Sequence, residues 1–328
     1  MELVTLHSND KDFFIAYGES RIGGRKDNQD SFGAVKTARG FLVVVCDGMG
    51  GGPGGKTAST IAVREIVAGI EEASKEEQDR NVIIKAIRRA NMTIIETGKV
   101  QTELRGMGTT ATVLLLTPRV AYAAHVGDSR VYQLRGHSKI FRTFDHSMVF
   151  ELVKQGLITE EQARLSVQSN IITRALGTKP DLEVDVAELP YERKDRFLLC
   201  TDGLHGTMPE KELIRIATKR KTALGAVVDD IATYVDNMGR NSGGGHDNLT
   251  LAIVESKINS KVKPKMSKDT KLTLLALCTI CMASITLNIV QYKTYNKPTK
   301  AQTEQVDSIV KKDSIKTDSI KKDTIKTK

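Results

Sequence analysis

The sequence predicts an α+β fold with two packed antiparallel sheets and helices outside them. Four strand-like runs follow one another between residues 109 and 144, and the links between them are only two or three residues long. Links this short join antiparallel strands, because a parallel crossover needs a dozen residues or more. Two helical patterns stand together at 56–73 and 80–98, so helices are grouped along the chain and do not alternate with single strands.

The other elements are assigned in chain order from the spacing of apolar residues. Residues 40–47 (GFLVVVCD) predict a buried strand, because the apolar run is continuous and rich in β-branched residues. In the second helical pattern, Ile83, Ile87 and Ile94 recur at helical spacing. We also expect short strands at 12–19 and 29–36, a more polar helical stretch at 147–178, a strand at 197–202, helices near 209–219 and 222–238, and a last strand at 248–255.

The formal net charge of +9 comes from the C-terminal part of the chain. Residues 1–256 carry 33 Lys and Arg against 34 Asp and Glu, whereas residues 257–328 carry 16 against 6. A domain that reads DNA carries its basic surface on the fold itself. The nearly neutral body therefore predicts that nucleic acid is not a partner.

Residues 272–292 form an uncharged run, LTLLALCTICMASITLNIVQY. As a helix, this run would be about 31 Å long, which matches bilayer hydrocarbon and predicts a single transmembrane helix. Six lysines lie in the 15 residues before it and three in the 15 residues after it, and lysine-rich flanks stay in the cytoplasm. We therefore expect the body, residues 1–256, and a basic linker, residues 257–271, on the cytoplasmic side of the cell membrane. The tail, residues 293–328, is expected outside, and its short DSIKT-like repeats predict disorder.

Three aspartates stand at the ends of predicted buried strands. Asp47 and Asp202 each end a strand and precede a glycine, and Asp247 precedes the last strand. A carboxylate at such a position is costly unless it is paired or bound to metal. We therefore expect the three to gather at one rim, where oxygen ligands favour Mg²⁺ or Mn²⁺ over zinc.

One glycine-rich segment supports an alternative. Residues 50–57 (GGGPGGKT) fit the pattern G-x-x-x-x-G-K-[ST] of a P-loop NTPase. That fold needs strands alternating with helices in a parallel sheet, which the antiparallel run at 109–144 does not provide. Pro53 also lacks one of the N–H groups that would cradle phosphate. A second alternative is an inactive regulator that binds phosphoproteins.

Eight short motifs occur in order along residues 10–256. They are RKDNQD (25–30), VCDGMGG (45–51), GMGTT (106–110), VGDSR (126–130), DHS (145–147), NIITRALG (170–177), CTDGL (200–204) and HDNLT (246–250). Together they resemble the motifs of the metal-dependent PPM (type 2C) protein Ser/Thr phosphatases of bacteria. The resemblance implies a central β-sandwich flanked by helices, αββα, with a two-metal site at one end. It also implies a flap beside the cleft at about 145–190.

The resemblance implies a metal site at five positions. Asp47 would bridge two Mn²⁺ or Mg²⁺ ions, and Gly48 would contribute its backbone carbonyl. Asp202 and Asp247 would complete the shell of one ion. Asp128 looks like the ligand of a third, weaker Mg²⁺ or Mn²⁺.

The resemblance also assigns catalytic groups. Asp30 would orient water at the metals, and Arg25 would bind the substrate phosphate, because a guanidinium fork matches phosphate oxygens. Two residues depart from the family: Met49 replaces a histidine proposed as general acid in many eukaryotic members, and Lys56 replaces the usual glutamate of bacterial members. The expected supporting residues are Asn28, Gly203 and Asn248.

The implied activity is hydrolysis of phosphoserine and phosphothreonine in proteins by a water that two metal ions activate. Its expected partners are phosphorylated proteins, among them a Ser/Thr kinase and the substrates of that kinase. The metals and Arg25 would neutralise the charge on the phosphoryl oxygens.

Overall fold

A computed structural model describes residues 2–5, 11–50, 52–168, 170–262, 276–277, 279–288 and 291. The chain divides into two compact units, Met1–Pro264 and Lys265–Lys328. The first unit extends the predicted body, residues 1–256, to Pro264, and "the body" below means this whole unit. It contains every named helix and strand.

The described strands, β1 to β13, are Glu2–Thr5, Phe14–Arg21, Ser31–Lys36, Phe41–Cys46, Gly48–Met49, Gly108–Thr109, Ala111–Leu116, Ala121–Val126, Arg130–Arg135, Ser138–Arg142, Asp185–Leu189, Arg196–Cys200 and Leu249–Ser256. The described α-helices, α1 to α7, are Gly52–Glu71, Asp79–Val100, Met148–Lys154, Glu160–Arg164, Asp202–His205, Glu210–Ala217 and Leu224–Asn241.

The strands form two antiparallel sheets, as the sequence predicts. One sheet has the order β1-β2-β13-β12-β9-β10, and the other has the order β11-β8-β7-β4-β3. A two-stranded ribbon pairs β5 with β6. The α+β prediction with helices outside two antiparallel sheets is confirmed.

The continuous apolar run of β4 is buried on both faces. Its residues Phe41, Val43 and Val45 pack between the two sheets, where Phe41 stacks on Phe14 at a ring distance of 3.9 Å. Its alternate residues Leu42 and Val44 pack under α1 and α2. Because successive side chains of a strand point to opposite faces, a strand between a second sheet and a helix layer needs apolar residues throughout.

The other helix layer covers the opposite sheet. Residues of α6 and α7, such as Leu213 and Val228, pack on Leu251 and Ile253 of β13. The body therefore has four layers: helices, sheet, sheet, helices.

The expectation of one helical stretch at 147–178 is wrong. Among the described residues of this stretch, only α3 and α4 are helical, and Gly156, with φ +71°, ends the first of them. A capping box at Thr159 and Gln162 starts the second. Residues beyond α4 pair instead with the body through isolated bridges, Thr109 with Leu176 and Ser147 with Ile172.

In the second unit, residues 279–288 are helical, with exposed apolar side chains such as Ile280 and Ile285. Within the described part of the chain, no helix combines the length and apolar composition needed to cross a membrane. The predicted span 272–292 lies partly outside the described residues. Residues 263–271 and the tail, residues 293–328, lie wholly outside them. The structure therefore gives the predicted span no support.

Candidate active site

The strand ends at one rim of the sandwich bring the predicted acidic residues together. The strand β4 ends directly before Asp47, α5 begins at Asp202, and β13 begins two residues after Asp247. Because β12 and β13 are antiparallel neighbours, the end of one lies beside the start of the other. A cavity of about 430 Å³ at this rim has a lining that includes Arg25, Asp47, Gly48, Asp128, Asp202, Asp247 and Asn248.

Two buried carboxylate oxygens at this rim have no hydrogen-bond partner among the described residues. They are Oδ1 of Asp30 and Oδ1 of Asp202. The other oxygen of Asp30 accepts a hydrogen bond from Thr201 Oγ1 at 3.0 Å. Leaving a buried carboxylate oxygen without a donor costs about 1–3 kcal/mol or more. The oxygen-rich donor set and these unpartnered atoms fit a hard divalent cation.

The carboxyl groups at the rim raise one another's pKa. Burial raises the pKa of Asp30 to about 7, and the charges of Asp202 and Asp247 add to the effect. Burial, followed by repulsion from Asp30 and Asp202, raises the pKa of Asp47 well above its ordinary range. The pKa of Asp128 is also raised well above its usual value, by burial and by Asp202. Such crowding of acids disfavours their ionised forms unless cations are bound.

Arg25 stands at the mouth of the cavity with its side chain half exposed. Its Nη2 donates to Oδ2 of Asp247 at 2.7 Å. This ion pair joins Arg25 to the acidic rim from the cavity side. The guanidinium is therefore placed to meet an anion entering the cavity.

Two asparagines hold the segment that carries Arg25 and Asp30. Asn248 Oδ1 accepts from the backbone N–H of Gln29 at 2.8 Å, and its Nδ2 donates to the carbonyl of Asp27 at 2.9 Å. Asn28 Oδ1 accepts from the N–H of Asp30 at 3.1 Å. The supporting roles expected from the sequence thus correspond to contacts with the backbone of this segment.

Glycine is required where backbones meet behind the site. A Cβ on Gly203 would lie 2.0 Å from the carbonyl oxygen of Asn248. A Cβ on Gly48 would lie 2.1 Å from the carbonyl oxygen of Gly55 in the first turns of α1. The start of α1 therefore packs directly against the loop that follows Asp47.

The P-loop alternative is wrong. Residues from Gly52 to Thr57 belong to α1 and do not form a loop around an anion. The Nζ of Lys56 donates to the carbonyl of Asp30 at 2.6 Å and to Ser31 Oγ at 3.1 Å. Gly55 packs closely against Gly48, and Gly54 packs against Met107, so the match to the nucleotide pattern reflects composition alone.

Asp128 and its neighbours join the site to residues 145–190, the predicted flap. His205 of α5 contacts the carbonyl of Asp128 through Nε2 at 3.0 Å. Arg130 makes a two-pronged contact with Asp145, at 2.8 and 2.7 Å, and its guanidinium lies over the ring of Phe150 in α3. Fork-to-fork contacts of this kind fix orientation as well as distance.

A cluster that the sequence analysis missed lies at the base of the flap. His125 and His146 stack at 4.4 Å, and His146 Nε2 lies 3.2 Å from Oδ2 of Asp185. The N–H of Gly127 donates to His146 Nδ1, so the Nε2 proton of His146 faces Asp185. The ring planes are nearly parallel, so the in-plane lone pairs of the two histidines lie in separate planes, and Nε2 of His125 already contacts the carbonyl of Phe144 at 2.7 Å. The strand register that pairs Asp185 with His125 is long-range, and histidine spacing alone does not reveal it.

Comparison with known proteins agrees with this geometry. Residues 17–241 match the family model described as protein phosphatase 2C. A serine/threonine phosphatase stp of Listeria monocytogenes is 35% identical over 241 residues, which cover 72% of this chain and 93% of that protein.

Solved structures show the same likeness. The serine/threonine phosphatase of S. agalactiae superimposes with a TM-score of 0.68 at 30% identity, covering 74% of this chain and 100% of that one. The catalytic domain of the protein phosphatase PstP, solved in complex with 2 manganese ions, gives a TM-score of 0.61 at 28% identity over 74% of this chain and 97% of that one.

Proposed function

We propose a mechanism and a cellular setting for this chain, which belongs to the protein phosphatase 2C family and is a protein serine/threonine phosphatase. The mechanism is hydrolysis of phosphoserine and phosphothreonine in proteins with two divalent metal ions, Mn²⁺ or Mg²⁺. The observation that carries the proposal is the pair of buried, unpartnered oxygens on Asp30 and Asp202 at a rim of crowded carboxyl groups.

The residues that would hold the ions are Asp47, Asp202 and Asp247 with the carbonyl of Gly48, and Asp128 would hold a third, weaker ion. When bound, such ions lower the pKa of a shared water and neutralise charge on the phosphoryl group. The raised pKa values of Asp47 and Asp128 mean that these carboxyl groups must release protons to become ligands.

The chain's own residues bind and orient the substrate. Arg25 would exchange its contact with Asp247 for the phosphoryl oxygens, since a phosphate offers a guanidinium two acceptors. Asp30 is held by Thr201 and would accept a hydrogen bond from water at the site. Met49 lines the cavity and has no proton to donate, so the leaving seryl or threonyl oxygen would take its proton from water or from another group.

The proposed substrates are phosphorylated proteins, among them a Ser/Thr kinase and its targets. The cavity is open at the rim, and the flap residues Asn170 and Ile172 line one wall of it. An open cleft beside a separate flap suits a phosphorylated segment of a protein chain.

We also propose that residues 272–292 anchor the protein in the cell membrane, with the body in the cytoplasm and the tail outside. The support is the uncharged sequence and the lysine-rich segment before it. Epitope tags at the two ends of the chain in spheroplasts test the topology: protease should remove only the C-terminal tag.

Phosphate release from a phosphothreonine peptide by the full-length protein tests the mechanism. Turnover should require Mn²⁺ or Mg²⁺, stop with EDTA, and fall at least about 10³-fold in Asp47→Asn and Asp202→Asn. Asp181→Asn, at an exposed aspartate, is the matched control and should keep full activity. Full turnover in both site variants would refute the mechanism, and tight peptide binding without turnover would favour the inactive regulator.

A further inference from the structure

We infer that the end of the body opposite the active site is a docking face for an anionic phospholipid bilayer. The inference deepens the proposed membrane anchoring and rests on it for the orientation of the protein. We call this end the basal face and define it as residues 117–120, 190–195 and 256–262.

Backbone hydrogen bonds hold the three segments of the basal face together. The N–H of Val262 donates to the carbonyl of Arg119 at 3.2 Å, and the N–H of Lys194 donates to the carbonyl of Ser256 at 2.7 Å. The N–H of Ser260 donates to the carbonyl of Tyr191 at 2.8 Å. Residues 257–262, which the sequence analysis assigned to the linker, therefore run along the body as a fixed part of it.

The basal face carries a group of uncompensated cations. Four exposed side chains, Arg119, Arg193, Lys194 and Lys261, form no ion pair with a described residue. Because the body as a whole is nearly neutral, this group is a local concentration of positive charge.

Three of the carboxylates that border the basal face are paired. Glu192 contacts Arg135 at 2.6 Å, and Asp12 contacts Lys36 at 2.7 Å. Glu255 contacts Arg220 at 2.8 Å. Glu188, at the end of the strand β11, is exposed beside the face and forms no ion pair with a described residue, so it offsets one of the four cations. The face therefore presents mainly positive charge to whatever approaches it.

The chain leaves the body at this face and continues as a sequence that suits lipid. Lys263, Lys265, Lys268 and Lys271 follow Val262, and the uncharged run 272–292 comes next. Anionic lipid headgroups attract such cations within about a Debye length of the surface. A nucleic acid would also attract the cations, but it would not explain why they lead into an apolar run.

The proposed docking determines how far the active site lies from the bilayer surface. The strand β13 runs from the acidic rim to the basal face over Leu249–Ser256, and eight strand residues span about 25 Å. With the basal face on lipid, the cavity opens away from the bilayer at about that distance. Substrates would then be reached from the cytoplasm and not from the membrane surface.

Hydrogen–deuterium exchange on the full-length protein tests the docking. The protein is incorporated into phosphatidylcholine vesicles and into 7:3 phosphatidylcholine–phosphatidylglycerol vesicles. Peptides covering 117–120, 190–195 and 256–262 should exchange at least about fivefold more slowly on the anionic vesicles, because each of the cations shifts the docking equilibrium by about that factor. The protection should shrink in 0.5 M NaCl.

A double variant and a matched control identify the surface. Arg193→Glu with Lys194→Glu should remove the protection, whereas Lys99→Glu with Arg105→Glu makes the same charge change at exposed positions elsewhere and should keep it. The inference would be overturned if the basal-face peptides exchanged at the same rate on both vesicle types. It would also be overturned if both double variants lost the same amount of protection. Equal protection by a single-stranded oligonucleotide in place of vesicles would overturn it as well.

The test separates this inference from the proposals on which it builds. Protection of residues 272–292 on both vesicle types reports anchoring, and its absence alone would count against the transmembrane helix. Asp47→Asn should leave the basal protection unchanged, since the exchange signal does not depend on turnover.

Discussion

Replacing Asp30 with asparagine is expected to stabilise the metal-free protein at pH 8 but not at pH 5. Asp30 is 2% exposed, and burial raises its pKa from 3.8 to about 7. The folded protein therefore holds a proton on Asp30 that the unfolded chain releases between these two pH values. The stabilising contribution of the Asp30 carboxyl group is fully present below pH 3.8 and is lost as the pH rises to about 7.

The size of the effect follows from the shift. A difference of about 3 pKa units corresponds to about 4 kcal/mol of stability lost from wild type by pH 8. Asparagine has no charge to bury, but its amide would leave a buried N–H without an acceptor beside Asp202, at a cost of about 1 kcal/mol. The variant should thus be about 3 kcal/mol more stable than wild type at pH 8. At pH 5, where wild type has lost only about 1.6 kcal/mol, the two proteins should differ by less than about 1 kcal/mol.

Urea unfolding in EDTA at both pH values measures this difference. Comparing the two proteins at each pH cancels the titration of the histidines, which is common to both. Saturating Mn²⁺ should reverse the order at pH 8, because bound cations favour the ionised wild-type site. A difference between the two proteins that is the same at pH 5 and pH 8 would refute the argument that burial raises the pKa of Asp30.

Three further changes have defined outcomes. Gly203→Ala would place a Cβ 2.0 Å from the carbonyl oxygen of Asn248. The Mn²⁺ affinity measured by calorimetry should therefore fall at least about tenfold. An unchanged affinity would show that the backbone around Gly203 can move to accept the methyl group. Burial lowers the pKa of His146 from 6.5 to about 4. The contribution of this imidazole to the free energy of unfolding is therefore present above pH 6.5 and is lost as the pH falls to 4. In urea unfolding, the free energy of unfolding of wild type should fall by about 3 kcal/mol more than that of His146→Gln over this pH range. Parallel plots of the two free energies against pH would contradict this. Asp145→Asn leaves the buried guanidinium of Arg130 without its charged partner, so the free energy of unfolding should fall by about 3–5 kcal/mol; a loss below 1 kcal/mol would mean that water reaches Arg130.

Much of the architecture could be predicted because its signals are local. The continuous apolar run of β4 marks a strand covered on both faces, and two- or three-residue links admit only antiparallel pairing. The flap could not be predicted in this way. Residues 165–178 have a composition compatible with helix, but bridges to Ser147 and Thr109 hold them in other conformations.

The site shows the same division. The sequence indicates Asp47, Asp202 and Asp247, because each stands beside a strand end and ordered motifs surround them. It does not indicate that Lys56 donates a hydrogen bond to the carbonyl of Asp30, or that Arg25 donates one to Asp247. These contacts depend on the packing of α1 and on a pairing across more than 200 residues.

The sequence by itself determined the residue types, the strand pattern and the family to which the chain belongs. It also showed that the positive charge lies mostly after residue 256. Only the tertiary structure decided which carboxylate oxygens lack partners and which cations share the basal face. Arg119, Arg193 and Lys261 lie far apart in the chain, and they become neighbours because antiparallel strands return their turns to the same end of the sandwich.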